Sequence, residues 1–264
     1  MSTLASNVQS TPVRTANGAR KTGGVTHGLK EAVRKTTIGI VDVAWGSFIG
    51  QHVRMRGARD IERIMWQNAA EESAAFVAEH MFHVPMLRDK IKLMDASLDA
   101  ASARQGLYCE FGVFRGDSLN YIAERVAGPV DGFDSFEGLP ENWISKHPKG
   151  SLTAAGRLPK VRSNVRLFKG WFSDTLPGYL RENTGPVAFI HIDCDLYSST
   201  KTVFSMMADR IGNGTVILFD EYFNYPGWQK HEFRAFHEFI DERQLSFEYV
   251  GCVRDDSQVA VRIL

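Results

Sequence analysis

Three cysteines are all that this chain of 264 residues carries. Cys109, Cys194 and Cys252 are odd in number, far apart, and each lies in an apolar run. That excludes a disulfide framework and any zinc-ligand spacing, and reduced core thiols of a cytoplasmic protein are expected. A charge excess is missing too. Lys plus Arg and Asp plus Glu both number 31, which removes the electrostatic case for a nucleic-acid binder. A membrane-spanning run is also lacking. Ile38 to Gly50 is apolar but only 13 residues long and is broken by Asp42, whereas a spanning helix needs roughly 20. Packing on the domain or on a dimer partner is the expected use of this segment, ahead of membrane association. Residues 1–37 have neither apolar periodicity nor the apolar centre of a secretory signal. With six Lys/Arg and a single acid, Glu31, they read as a disordered basic tail, a composition that transit peptides share.

What remains is an ordinary globular composition, 44% hydrophobic, with seventeen Phe and five Trp. The length allows one α/β domain with extensions and a substantial core. Residues 38–105 read as a helical lead-in or cap. Ile61, Ile64, Met65, Ala69, Phe76 and Val77 recur at near-helical intervals and predict an amphipathic helix from Asp60 to about Phe82. A second is predicted from about Leu87 to Ala103. From residue 106 to 264 the texture alternates. Strands are predicted at Leu107–Gly112, Val130–Asp134, Val165–Lys169, Pro186–Asp193 and Thr215–Asp220. Helices are predicted from Gly116 to about Val126, Ser199 to Ile211 and Trp228 to Arg243. A terminal hairpin, Phe247–Val253 and Gln258–Leu264, closes the chain. Such alternation implies a doubly wound parallel sheet with one antiparallel strand near the C-terminus. Residues 138–160 carry Pro140, Pro148, Pro159, Gly150 and Gly156 among polar residues and are expected to form a long loop, of the kind that is either functional or disordered.

Two strands end in carboxylates. Pro186–Asp195 reads PVAFIHIDCD and Thr215–Glu221 reads TVILFDE. Short, β-branched-rich apolar runs of this kind are how buried parallel strands look, and ligands of open α/β sheets sit at the carboxyl ends of the strands. Asp193, Asp195, Asp220 and Glu221 would repel one another at one sheet edge. Oxygen-only donors suit a hard divalent cation such as Mg2+. The competing reading, helix capping by Asp, accounts for one such acid better than for two pairs.

The fingerprint G-x-G-x-x-G is absent: Cys109 and Glu110 stand where a first glycine and its neighbour belong. Glu110-Phe-Gly112-Val-Phe-Arg-Gly116 is still a glycine-containing turn before a helix that Gly116-Asp117-Ser118 opens. An acid in that turn repels a pyrophosphate and suits a ligand bearing an ammonium, which points to S-adenosylmethionine. Asp134 ends the next strand, the place from which a carboxylate accepts ribose hydroxyls. Gly170, Trp171 and Phe172 after the third strand are candidates for an adenine wall, with core packing an equal explanation for either aromatic ring.

Together EFGVFRGDS, DGFDSFEGLP, KGWFSDTLP, HIDCDLYSST and ILFDEY resemble the macrocin O-methyltransferase family, in order and spacing, from about Gly106 to Leu264. These are class I, Rossmann-like, magnesium-assisted enzymes that methylate sugar hydroxyls with S-adenosylmethionine. The resemblance implies metal ligands at Asp193, Asp220 and Glu221, and a general base at Asp195. Cofactor contacts are expected from Glu110, Gly112, Ser118, Asp134, Ser135, Gly170, Trp171 and Phe172. The acceptor would be a hydroxyl of a small molecule, with a homodimer as the assembly. Where the family carries Asp-Asp, this chain has Asp220-Glu221. The lysine of the more distant catechol O-methyltransferases is replaced by Leu196. His191 is expected to be a satisfied core residue, and Tyr197, Tyr222 and Trp228 to line the acceptor site or to pack. The other classes weighed are an NAD-type oxidoreductase on the same fold and a scaffold that binds adenosylmethionine without turnover.

Overall fold

All six residues of β5 (Val187–Ile192) and all four of β6 (Val216–Phe219) are buried, so both faces of the sheet must be covered at these strands. In the computed structural model, which describes residues 59–264, β5 and β6 pair in parallel with Phe189 opposite Val216 and Ile192 opposite Phe219. The basic tail and the apolar 38–50 segment lie outside the described residues. On the other side of β5 come β2 (Leu107–Phe111), β3 (Val130–Asp134) and β4 (Val165–Lys169), all parallel. The final hairpin is β7 (Phe247–Val253) and β8 (Val259–Ile263). With β1 (Met86–Leu87), the sheet runs β1-β7-β8-β6-β5-β2-β3-β4. Only β8 runs against its neighbours among the described residues. The chain winds outward from β2 through β3 to β4, then crosses back to start again at β5. The gap between the tips of β2 and β5 is therefore the topological switch point at which a ligand is expected.

Side chains alternate across the sheet with the two-residue strand period. Phe189, Val216 and Leu218 join the core on the face of α2 (Lys90–Ala101) and α3 (Asp117–Arg125). Ile190, Ile217 and Phe219 join the core beneath α5 (Tyr197–Met207) and α6 (Glu232–Arg243). On that second face Phe204 stacks on Phe239 at 4.8 Å.

Three local features depart from the periodicity. A helix, α4 (Phe172–Glu182), follows β4 although Pro177 lies inside it. Proline removes a helical donor, but the burial of Leu176 and Tyr179 outweighs that cost. The second lead-in helix begins three residues later than predicted. Met86 and Leu87 extend the sheet beside Cys252 and Val253 instead, and Asp89 caps α2 by accepting Lys92 N–H at 2.9 Å. In α1 (Ile61–His80) the predicted apolar stripe is buried only toward its second half. Ala69 and Ser73 are enclosed, whereas Ile61, Ile64 and Met65 stay exposed. Phe76 reaches an aromatic cluster with Tyr222, Trp228 and Phe233. Residues 138–160 contain no helix or strand and are tied down by backbone hydrogen bonds such as Leu139 N–H to Ser151 O and Gly156 N–H to Phe136 O.

Candidate active site

The strand tips at the switch point are locked together by backbone. Asp193 N–H donates to Phe111 O and Asp220 N–H to Ile192 O, both at 2.9 Å, and Gly112 N–H donates to Phe133 O at 3.0 Å. Gly112 adopts φ +94°, and a Cβ there would lie 1.6 Å from Asp193 O. Only glycine lets the first turn cross the tip of β5 this closely. Asp134 braces the same turn. Its Oδ2 accepts Val113 and Phe114 N–H at 2.8 Å each, and its Oδ1 accepts Phe136 N–H at 2.6 Å. Glu110 is wholly buried. Its carboxylate accepts Ser118 Oγ–H at 3.1 Å and pairs with His191 Nδ1 at 3.0 Å.

The acids fall into two overlapping sets, neither of which holds Asp220 together with Glu221. Carboxylate oxygens of Asp193, Asp195 and Glu221 lie within 4.8 Å of one another, and a second set within that reach is Asp193, Asp220 and His191. Asp193 belongs to both. Asp195 sits at φ +63°, a left-handed conformation that costs of order 1–3 kcal/mol outside glycine and is found where surroundings over-determine it. Those surroundings are supplied by Glu232, the first residue of α6. Its Oε1 accepts Asp195 N–H at 3.2 Å and its Oε2 accepts Glu221 N–H at 3.1 Å. One buried carboxylate thus pins both acidic tips.

Burial, followed by the charge of Asp220, raises the Asp193 and Glu221 carboxyls well above the usual range. The same causes and Asp134 push Asp195 up to about 7. Burial and Asp195 raise Glu232. Burial also works against an ionised Asp220, but His191 overcomes it and holds Asp220 below the usual value. In His191 the burial that disfavours its charge is overcome by Asp220 and Glu110, so its pKa is raised. Glu221 Oε2 is buried without a hydrogen-bond partner. An unpaired buried oxygen among acids that resist ionisation is what a cation would satisfy.

A cavity of about 660 Å³ opens over this cluster, within the range of small-molecule sites. Gly112, Asp134, Ser135, Gly170, Trp171 and Phe172 line one part of its wall. Asp193, Asp195, Asp220 and Glu221 line another, and the 138–160 loop contributes Leu139, Trp143 and His147. A second cavity of about 440 Å³ shares Lys90, Phe114, Asp193 and Asp220 with the first and is lined also by Arg115, Ser118 and His191. Of the predicted metal, base and cofactor residues, all but Glu110 line one cavity or the other. Tyr222 and Trp228 are core residues, and Tyr197 OH donates to Glu238 at 2.6 Å on the helix surface. Glu232 escaped the sequence reading because an acid in the first turn of a helix is commonplace. His191, expected to be satisfied, leaves Nε2 without a hydrogen-bond partner.

Residues 157–249 match the family model described as macrocin-O-methyltransferase (TylF). The chain is 32% identical over 137 residues to the 8-demethyl-8-(2,3-dimethoxy-alpha-L-rhamnosyl)-tetracenomycin-C 4'-O-methyltransferase of Streptomyces olivaceus, covering 43% of this chain and 51% of that protein. It is 29% identical over 133 residues to the demethyldecarbamoylnovobiocin O-methyltransferase of Streptomyces niveus, covering 41% and 48%. The chain thus spans about half the length of the curated relatives it matches. Among solved structures, that of CalS11, a calicheamicin methyltransferase, superposes with a TM-score of 0.54 at 22% identity over 65% of this chain and 77% of that one, a likeness of fold.

Proposed function

We infer that this chain, which belongs to the macrocin-O-methyltransferase family through residues 157–249, transfers a methyl group from S-adenosylmethionine to a hydroxyl of a small acceptor, a sugar or another natural product, with a divalent cation assisting. The observation that carries this reading is that two acidic strand tips line one cavity together with Gly112, Asp134 and Trp171.

The residues fit the donor. Asp134 commits its carboxylate to three backbone N–H groups, which leaves acceptor capacity for a ribose hydroxyl. Trp171, 40% exposed, and Phe172 offer faces for the adenine. Ser118 and the charged Arg115 and Lys90 in the adjoining cavity suit the amino-acid end. Glu110 acts from behind by holding Ser118. The donor's sulfonium supplies a methyl group already activated for displacement. Asp193, Asp220 and Glu221 would hold a cation such as Mg2+, whose contribution is to lower the pKa of a bound hydroxyl.

Asp195 then has one task. It accepts the hydroxyl proton as the oxygen takes the methyl carbon and the carbon–sulfur bond breaks. A carboxyl raised to about 7 is a better base than an ordinary Asp and remains ionised enough to act near neutrality. Glu232 and the left-handed backbone at Asp195 hold that base in one place. Trp143, stacked on His147 at 5.4 Å, and Leu139 form the wall the acceptor would meet.

Calorimetry with adenosylmethionine and with NAD tests the donor; binding of NAD alone would overturn the reading. Mass spectrometry of a pool of hydroxylated compounds tests the transfer. Asp195→Asn is expected to lower turnover by roughly 10²- to 10⁴-fold with donor affinity unchanged. Normal methylation by both Asp195→Asn and Asp193→Ala would remove the acid cluster from the mechanism.

A further inference from the structure

We propose that His191 is a nitrogen ligand to the cation, facing Asp193 and Asp220, and that it makes the site select manganese over magnesium. The proposal rests on the cation-assisted reading above and goes beyond its all-oxygen ligand set. A ring nitrogen of His191 and one oxygen each from Asp193 and Asp220 lie within 4.8 Å of one another, and Nε2 is the nitrogen on the Asp220 side. The His191 side chain is 2% exposed and its Nε2 has no hydrogen-bond partner. Asp220 Oδ1, at 3.8 Å, is beyond hydrogen-bond reach.

The other ring nitrogen explains why Nε2 is available. Nδ1 lies 3.0 Å from Glu110 Oε2, and Glu110 is wholly buried. With Nδ1 turned to that carboxylate, Nε2 is the nitrogen left facing the acids. Metal-binding histidines are held in this way, with a carboxylate behind the ring that sets its orientation and raises its basicity. The cation takes the place of any proton on Nε2. Magnesium is hard and keeps to oxygen; manganese shares its affinity for carboxylates but, as a first-row transition ion, accepts an imidazole nitrogen more readily.

Manganese itself is the probe. The full-length protein loaded with Mn2+ is expected to show nitrogen modulation in its pulsed electron paramagnetic resonance spectrum. The pattern should change to that of ¹⁵N when the histidines are isotopically labelled, and vanish in Asp193→Ala. His191→Gln is expected to abolish the modulation, to weaken Mn2+ binding about 100-fold, and to shrink the preference for Mn2+ over Mg2+. Glu110→Gln, which retains an acceptor for Nδ1–H, should keep the modulation while weakening Mn2+ roughly tenfold. The wild-type spectrum decides the matter even if His191→Gln fails to fold. Mn2+ that binds in an Asp193-dependent way without nitrogen modulation overturns the role of His191 and leaves cation assistance standing. A wild-type protein that binds no Mn2+ overturns both.

Discussion

Glu232 is a carboxylate whose two oxygens serve two backbone N–H groups, those of Asp195 and Glu221. Glutamine has only one acceptor oxygen, so Glu232→Gln leaves one buried donor unpaired, a defect of about 1–3 kcal/mol. It also frees one acidic tip. Because small misplacements of reacting groups cost up to about a hundredfold in rate, kcat is expected to fall by about tenfold to a hundredfold while adenosylmethionine affinity stays constant, as steady-state kinetics and calorimetry would show. An unchanged kcat would leave Glu232 a packing residue. Asp195 carries a second expectation. Burial and the charges of Asp220 and Asp134 place its pKa at about 7, and a base works only when deprotonated. In the protein without added cation, the rate should therefore fall tenfold per pH unit below about 7. A bound cation moves that limb to lower pH.

Two elements position these residues, and each has its own vulnerability. The β2–α3 turn passes over the tip of β5 at Gly112, where an added methyl would strike Asp193 O. Gly112→Ala is expected to lower the melting temperature and to abolish donor binding, since strain at positive φ and the backbone clash act together. Gly128→Ala, with nothing within 4 Å of the added carbon, is the neutral control. The 138–160 loop is held differently. Trp143 packs edge-on to Tyr225 at 5.7 Å and stacks on His147, and Glu141 accepts Ser198 Oγ–H at 2.6 Å. Aromatic pairs contribute about 0.5–1.5 kcal/mol each beyond burial. Trp143→Ala should accelerate limited proteolysis within 138–160 by roughly tenfold, with the thermal midpoint of the sheet little changed. Protection equal to wild type would show that the backbone hydrogen bonds alone hold the loop.

Across the whole molecule the acid cluster sets how stability responds to pH. For Asp195 the window runs from the ordinary 3.8 to about 7. Within it the native state binds more protons than the unfolded chain, so stability falls as pH rises. The raised Asp193, Glu221 and Glu232 act in the same sense. His191, also raised, contributes stability below 6.5 that is lost as pH climbs through its folded value. Asp220 is lowered and opposes them only in acid, below its ordinary 3.8. The metal-free protein should therefore melt at a higher temperature near about pH 5.5 than near about pH 8, and Mn2+ should raise the midpoint more at the higher pH. A midpoint that rises with pH would mean the acids are ionised in the fold without help. Much of this was legible beforehand. The β5 and β6 runs are apolar but for His191 and stop at Asp193 and Asp220, and the order of the chain alone puts those acids at the carboxyl edge of a parallel sheet. Residue periodicity records which faces are buried, and that is local information. It missed α4, because Pro177 argues against a helix until Leu176 and Tyr179 are seen in the core. Whether Glu232 reaches Asp195 across 37 residues, which way the ring of His191 faces, and where Trp143 rests depend on how α6, β2 and the long loop pack against the strand tips. Those distances belong to contacts between residues remote in the chain, so only the tertiary structure decided them.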